Sequence, residues 1–188
     1  MPEPFLGRVK PEAMPDDLRS AWSASMALRG DATFFEVFAN HPDLYRWYAQ
    51  GFYGEVFRKG LVEQRFKELL RLRLSTLHGC RFCNQGNRED ARAAGLSDAE
   101  INALDDIDNP VLSAADRAVL ALGEHLSLLN KETGRLPPGI HEALGQHFND
   151  AQIIELGFVG SVLVGMARFL FAFDLVEKED SCPFHPTA

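Results

Sequence analysis

The apolar positions of this chain recur at helical spacing almost throughout, and no stretch alternates with the period of two that a strand needs. Pro15, Asp16 and Asp17 open a predicted helix that reaches Arg29, where Gly30 and Asp31 interrupt it. A short helix over 32–39 follows, broken by Asn40-His41-Pro42. Pro42 suits the first turn of the next helix, which runs to Lys59 and stops at Gly60. From Leu61 to His78, a broad apolar face is drawn by Leu61, Val62, Phe66, Leu69, Leu70 and Leu77. Cys80 to Ala94 forms another helix, closed by Gly95. Ser97 to Glu100 is a capping box, Ser113 to Asp116 resembles a second ahead of a helix to Leu129, and Asn149 to Gln152 is a looser third. After a loop over 134–139 and a helix over 140–148, this last box opens a long helix to Val176. The tail SCPFHPTA reads as irregular. The pattern predicts an all-α bundle.

The last helix is apolar on nearly every side between Leu156 and Phe173, so something besides its own neighbours must cover it. A central place in the bundle and a subunit interface both satisfy this. Gly157, Ser161 and Gly165, at spacing four, would let another helix approach closely. The charge-free run from Leu156 to Ala167 is 12 residues, short of the roughly 18 that a membrane span needs. Arg168 interrupts the apolar surface, and pairing with a buried carboxylate is its commoner use. Phe169, Phe171 and Phe173 read as core.

Charge narrows the function classes. With 19 basic and 27 acidic residues the net charge is -8, which argues against binding to nucleic acid or to anionic lipid. No secretory signal is visible at the N-terminus, so a cytoplasmic location is expected. The 188 residues, 46% of them hydrophobic, suffice for one domain with a real core. Three cysteines do not make a disulfide framework, but two are spaced Cys80-x-x-Cys83.

That spacing carries the chemistry. Gly79 can end one helix in a left-handed conformation, leaving Cys80 at the start of the next, where free N–H groups and the helix dipole favour an anion. Thiols in such positions have lowered pKa, and a spacing of three sets both sulfurs on one face. Asn87 continues the same stripe. If the helices fold back at Gly79, the order along the hairpin is Glu68, Asn87, Cys83, Cys80. That order suits a proton relay from carboxylate to thiol. Glu68 could equally pair with Arg71 or Lys67, and His78 could serve as a base or as the C-terminal cap of its helix. A zinc site would need Cys182 and His185 to join the cysteine pair. His141 and His147 do not share a helix face, and Cys182 alone reads as an incidental thiol.

Residues 67–96, KELLRLRLSTLHGCRFCNQGNREDARAAGL, resemble the alkylhydroperoxidase D-like (AhpD-like) branch of the carboxymuconolactone decarboxylase family. That branch carries Glu, eleven residues, Cys, two residues, Cys, three residues, His. Glu68, Cys80 and Cys83 match it, and Asn87 stands in place of the histidine. DRAVLALGEHL and HFNDAQIIELGFVGSVLVGMARF look like the family's later helices, so the resemblance covers roughly residues 55–175. It implies an AhpD-like helical bundle over 55–180, with an N-terminal helical extension over 1–54 and a tail over 181–188.

The resemblance also implies a thiol-dependent peroxidase or thiol–disulfide oxidoreductase. Cys83 would be the peroxide-reactive thiol, Cys80 the resolving one, and Glu68, Asn87 and His78 the candidates for proton handling. Helix-dipole reasoning favours Cys80 instead as the more acidic thiol. No cofactor or metal is expected. The partners implied are a peroxide or small organic substrate, an external dithiol reductant and further copies of the chain, as a trimer or a dimer-based hexamer. Two rival readings are a lyase acting on a small carboxylated lactone and a non-enzymatic thiol module whose disulfide state controls assembly.

Overall fold

A computed structural model describes residues 1–132 and 134–184, and within them every regular element is helical. A short 3₁₀ turn, Pro11–Ala13, precedes α1 (Asp16–Arg29), α2 (Thr33–Phe38) and α3 (Pro42–Arg46). The chain continues without a break into a π-helical segment, Trp47–Phe57. Then follow α4 (Gln64–Leu77), α5 (Arg81–Ala93), α6 (Asp98–Asn102), α7 (Ala114–Leu126), α8 (Pro138–Gly145) and α9 (Asp150–Ala172). All three capping boxes read from the sequence are formed, each with both reciprocal bonds.

The differences from the sequence reading lie at element ends and have local causes. The single helix expected over 42–59 changes winding at Trp47, and the Arg58 N–H donates to the Tyr53 carbonyl, an i→i−5 bond. The helix expected from Leu61 begins at Gln64, because Glu155 caps the preceding turn. Its carboxylate accepts from the Leu61 and Val62 N–H groups at 2.6 and 3.2 Å and from the buried Lys67 ammonium at 3.0 Å. Leu61, assigned to the apolar face, is instead 66% exposed. The helix before Ser127 stops at Leu126, and α9 stops at Ala172, just before Asp174 turns left-handed with φ 50°.

Helix α4 is the spine. Its residues Leu69, Leu70, Leu72 and Leu74 are fully buried against α7 and α9, where Val119, Leu120, Leu156 and Val159 meet them. Burial of each such side chain is worth about 1.5–3 kcal/mol. Arg73 of α4 reaches Asp105 and Glu124 at 2.7 and 2.5 Å, and Arg65 reaches Asp116 at 2.7 Å, so ion pairs hold α4 to the start and end of α7. The N-terminal helices add two smaller apolar clusters. Phe34, Val37 and Phe38 pack on Cys80, Leu170 and Val176, while Met14 and Leu18 pack on Ala39.

Helix α9 has an open face. At 23 residues it is long and apolar enough to cross a membrane by length and composition. Here it lies in the bundle, bonded by its N-terminal box and packed through Leu156, Val159 and Gly160. Ile154 and Phe158 remain 72% and 53% exposed, nothing lies close to Gly157 or Gly165, and Arg168 is exposed rather than paired with a buried carboxylate.

Candidate active site

Helices α4 and α5 fold back on each other through Gly79, whose φ of 63° is the left-handed conformation expected of it. The turn is tight: the Cys80 N–H donates to the Ser75 carbonyl and the Gly79 N–H to that of Thr76. Cys80 is the N-cap residue of α5, and its Sγ accepts the Cys83 N–H at 3.3 Å. The two sulfurs are joined as a disulfide, with the Cα atoms 5.2 Å apart. Cys80 is buried, whereas Cys83 is half-buried.

Both cysteines line a cavity of about 410 Å³ roofed by α2, α3, the π-helical segment and α9. Its walls are aromatic, with Phe34, Tyr45, Tyr48, Tyr53 and Phe82. Tyr48 stacks on Phe52 and meets Tyr53 edge-on, and burial pushes its phenol well above the ordinary value, which keeps it protonated. Arg29, Arg58 and Arg71 also line the cavity, and among the described residues no Asp or Glu does so.

Of the proposed relay, Asn87 faces the cavity and is buried, but its amide N–H donates to the Ser75 hydroxyl at 2.9 Å, which in turn donates to the Leu72 carbonyl. Glu68 lies one layer back. It is 5% exposed, accepts from Gln64 at 2.9 Å and forms an ion pair with Arg71. Arg71 also reaches Asp90 of α5 at 2.6 Å. Burial raises the Glu68 pKa, opposed by Arg71 and Gln64. Although burial disfavours its charge, Tyr53, Glu68 and Asp90 hold Arg71 firmly protonated. Glu68 thus meets the cavity through Arg71, and Asn87 meets Ser75. Of the ion-pair partners read for Glu68, Arg71 is the one it meets, and it does so buried rather than on a solvated face.

His78 is the C-cap residue of α4, yet its ring does not bond its own helix. Its Nε2 accepts the Leu128 N–H at 3.0 Å, so the neutral ring carries its proton on Nδ1. Burial lowers its pKa to about 4. It lines the cavity wall, so proximity to the cysteines and a structural tether coexist in one side chain.

The tail is not loose as far as it is described. The Glu179 N–H donates to the Gly79 carbonyl at 2.8 Å, the Phe82 N–H donates to the Glu177 carbonyl, and the Cys182 thiol donates to the His78 carbonyl at 3.0 Å. Cys182 is buried, so it is a packed part of the turn rather than an incidental thiol. The pair that the zinc alternative would use is here joined as a disulfide, and its fourth ligand, His185, lies outside the described residues. Among the described residues no cluster suited to a metal occurs.

The α4–α5 hairpin with its cysteine pair falls inside a recognisable segment. Residues 42–125 match the carboxymuconolactone decarboxylase family. The fold as a whole is shared with AhpD proteins. An uncharacterized peroxidase-related protein of the AhpD core type from Ralstonia eutropha JMP134 superposes with a TM-score of 0.72 at 16% identity, covering 96% of this chain and 94% of that one. A protein of unknown function from Agrobacterium tumefaciens, ATU0492, described as an AhpD-type antioxidant defence candidate, is 27% identical, with a TM-score of 0.56 over 89% of this chain and 94% of its own. The debrominase Bmp8, in complex with 2,3,4-tribromopyrrole, shares the fold at 15% identity, with a TM-score of 0.73 over 95% and 93% of the two chains. The uncharacterized protein YdfG of Bacillus subtilis strain 168 is 26% identical over 102 residues, 53% of this chain and 67% of that protein. The resemblance read from the Glu68, Cys80 and Cys83 spacing therefore holds, as does the all-α, AhpD-like fold. Over residues 42–125 the chain is similar to the carboxymuconolactone decarboxylase family, and over its whole length it shares the fold of AhpD proteins.

The sequence reading missed Ser75, Arg29 and the tyrosines. Ser75 lies twelve residues from Asn87, a separation that only the hairpin makes short. Arg29 and the tyrosines carry no local signal, since a tertiary fold alone brings them to the cysteines.

Proposed function

We propose that this protein is a thiol-dependent peroxidase in which Cys83 attacks and Cys80 resolves. The observation that carries the reading is the cysteine pair itself, bridged at the wall of an aromatic-lined cavity with Cys83 the more exposed residue of the two. In the reduced protein the Cys83 thiolate attacks the terminal oxygen of a hydroperoxide. The O–O bond breaks, an S–O bond forms, and the departing alkoxide takes a proton to leave as the alcohol. The Cys80 thiol then displaces water from the Cys83 sulfenic acid, closing the disulfide. An external dithiol returns two electrons and two protons by exchange and is itself oxidised to a disulfide. Arg71, its charge matched by Glu68 and Asp90, offers hydrogen-bond donors at the cavity wall, and Asn87 orients a water or the peroxide rather than carrying a proton. The work proceeds in the cytoplasm, with no cofactor, and on an oligomer in which a second copy covers the open face of α9.

Stopped-flow mixing of reduced protein with hydrogen peroxide and with organic hydroperoxides, followed by thiol loss, tests the reading. Cys80→Ser should react once and stop at a sulfenic acid trappable on Cys83, and Cys83→Ser should lose the fast phase. Sulfenic acid trapped on Cys80 would reverse the roles. No thiol loss faster than that of free cysteine, with any peroxide, would remove the peroxidase assignment and leave the lyase or the non-enzymatic thiol module.

A further inference from the structure

Arg29 ends α1, outside the segment that matches the family, yet its guanidinium lies on α5 beside the cysteine pair. Its Nε–H donates to the Phe82 carbonyl at 3.0 Å, and its Cζ stands 4.6 Å from the Phe82 ring centroid. A Cβ on residue 86 would come within 2.1 Å of Arg29 Nη2, so the guanidinium fills space that only Gly86 leaves open. Residues three apart on a helix hold their Cβ positions about 5–6 Å apart, which sets Nη2 within about 8 Å of the Cys83 Cβ. Arg29 and both cysteines line the same cavity.

The charges around this cavity leave one role unfilled. Arg71 is committed to Glu68 and Asp90, His78 is neutral, Asn87 carries no charge, and the phenols of Tyr45 and Tyr48 are held protonated by burial. Arg58 lines the cavity with its Cζ 5.8 Å from the Tyr53 ring centroid, and Arg81 at the start of α5 faces Glu177 of the tail at 3.5 Å. Asp31, Glu89 and Asp90 act on Arg29 from outside the cavity, without a salt bridge to it among the described residues. The anion that Arg29 is placed to meet is the one that appears on reduction.

We infer that Arg29 is a positioning residue whose charge holds reduced Cys83 as a thiolate, so that the N-terminal segment completes the site. The inference rests on the peroxidase reading only in taking Cys83 as the reacting sulfur. An opposite charge close by lowers a thiol's pKa, and partial screening at this separation leaves a shift of roughly half a unit to one unit. Below the midpoint that is about a three- to tenfold change in thiolate fraction.

The test needs no peroxide. Reduced full-length protein is alkylated with iodoacetamide across a pH series, and each cysteine is read separately by peptide mass spectrometry. Arg29→Gln should move the Cys83 midpoint upward by that amount, and Arg29→Lys should restore part of it. Gly86→Ala, which expels the guanidinium without removing it, should reproduce the Arg29→Gln profile, and it serves also if Arg29→Gln does not fold. The Cys182 profile should stay where it is. A Cys83 midpoint unchanged in Arg29→Gln and in Gly86→Ala overturns the inference. A shifted midpoint in a protein that consumes no peroxide would uphold it and remove the peroxidase reading instead.

Discussion

Replacing Gly79 by alanine should loosen the cysteine turn from both sides at once. Gly79 has φ 63°, and an L residue held there costs about 1–2 kcal/mol. The added Cβ would also lie 2.7 Å from Cys182 Cα and 2.8 Å from Cys182 Cβ. The first of these is backbone, so the tail itself must move. Its movement breaks the bond from the Glu179 N–H to the Gly79 carbonyl and the one from the Cys182 thiol to the His78 carbonyl. At about 0.5–1.5 kcal/mol each, these bring the expected loss to about 2–5 kcal/mol. Urea unfolding followed by far-UV circular dichroism measures it. In the oxidised protein Cys182 is the cysteine outside the disulfide, so its reaction with a thiol reagent reports whether the tail has lifted. Gly79→Asn separates the two contributions, because asparagine tolerates the left-handed conformation but keeps the Cβ. It should recover about 1 kcal/mol while Cys182 stays reactive. An alanine variant as stable as the wild type, with Cys182 still protected, would refute the reasoning.

Three further outcomes follow from burial and exposure. His78 has its pKa lowered from 6.5 to about 4, so its contribution is present above pH 6.5 and is lost as pH falls toward 4. At about 1.4 kcal/mol per unit this amounts to something on the order of 3 kcal/mol, which His78→Gln should remove from the difference between unfolding curves at the two ends of that window. Glu68 has its pKa raised by burial, so its contribution is present below 4.5 and fades as pH rises through the folded value. The stability of Glu68→Gln relative to wild type should therefore improve from pH 4.5 to neutrality, and a flat difference would count against burial as the dominant cause. Phe158→Lys, on the open face of α9, should lower the oligomeric mass seen by sedimentation without altering the far-UV spectrum, and an unchanged mass would place the interface elsewhere.

What was legible in the sequence was what is local. The capping boxes formed because each closes within four residues, and Gly79 adopted the conformation that a helix stop before Cys80 requires. The cysteine pair was legible for the same reason. Illegible were contacts between distant stretches: Arg29 to Phe82 across 53 positions, and Cys182 to His78 across 104. The tail read as loose because its composition is that of a loop, and nothing in SCPFHPTA announces a thiol buried under the turn. Helix α9 shows the opposite failure. Its apolar run implied cover, but pattern alone could not choose between the bundle and another subunit, and the structure leaves that face open.

The π-helical stretch Trp47–Phe57 makes the cavity sensitive to chain length rather than to side-chain chemistry. Wider winding of this kind is equivalent to a surplus residue relative to an α-helix. Removing one residue before Tyr48 while the winding is kept would turn each later position of the segment by roughly a quarter of a turn around the axis. Tyr48 and Tyr53 would then leave the cavity wall together, and Phe52 and Phe57 would leave the core. A library of single-residue deletions through this stretch would therefore erase the site while every residue of the cysteine hairpin stayed unaltered, which makes the register of these eleven residues as much a part of the site as the sulfurs are.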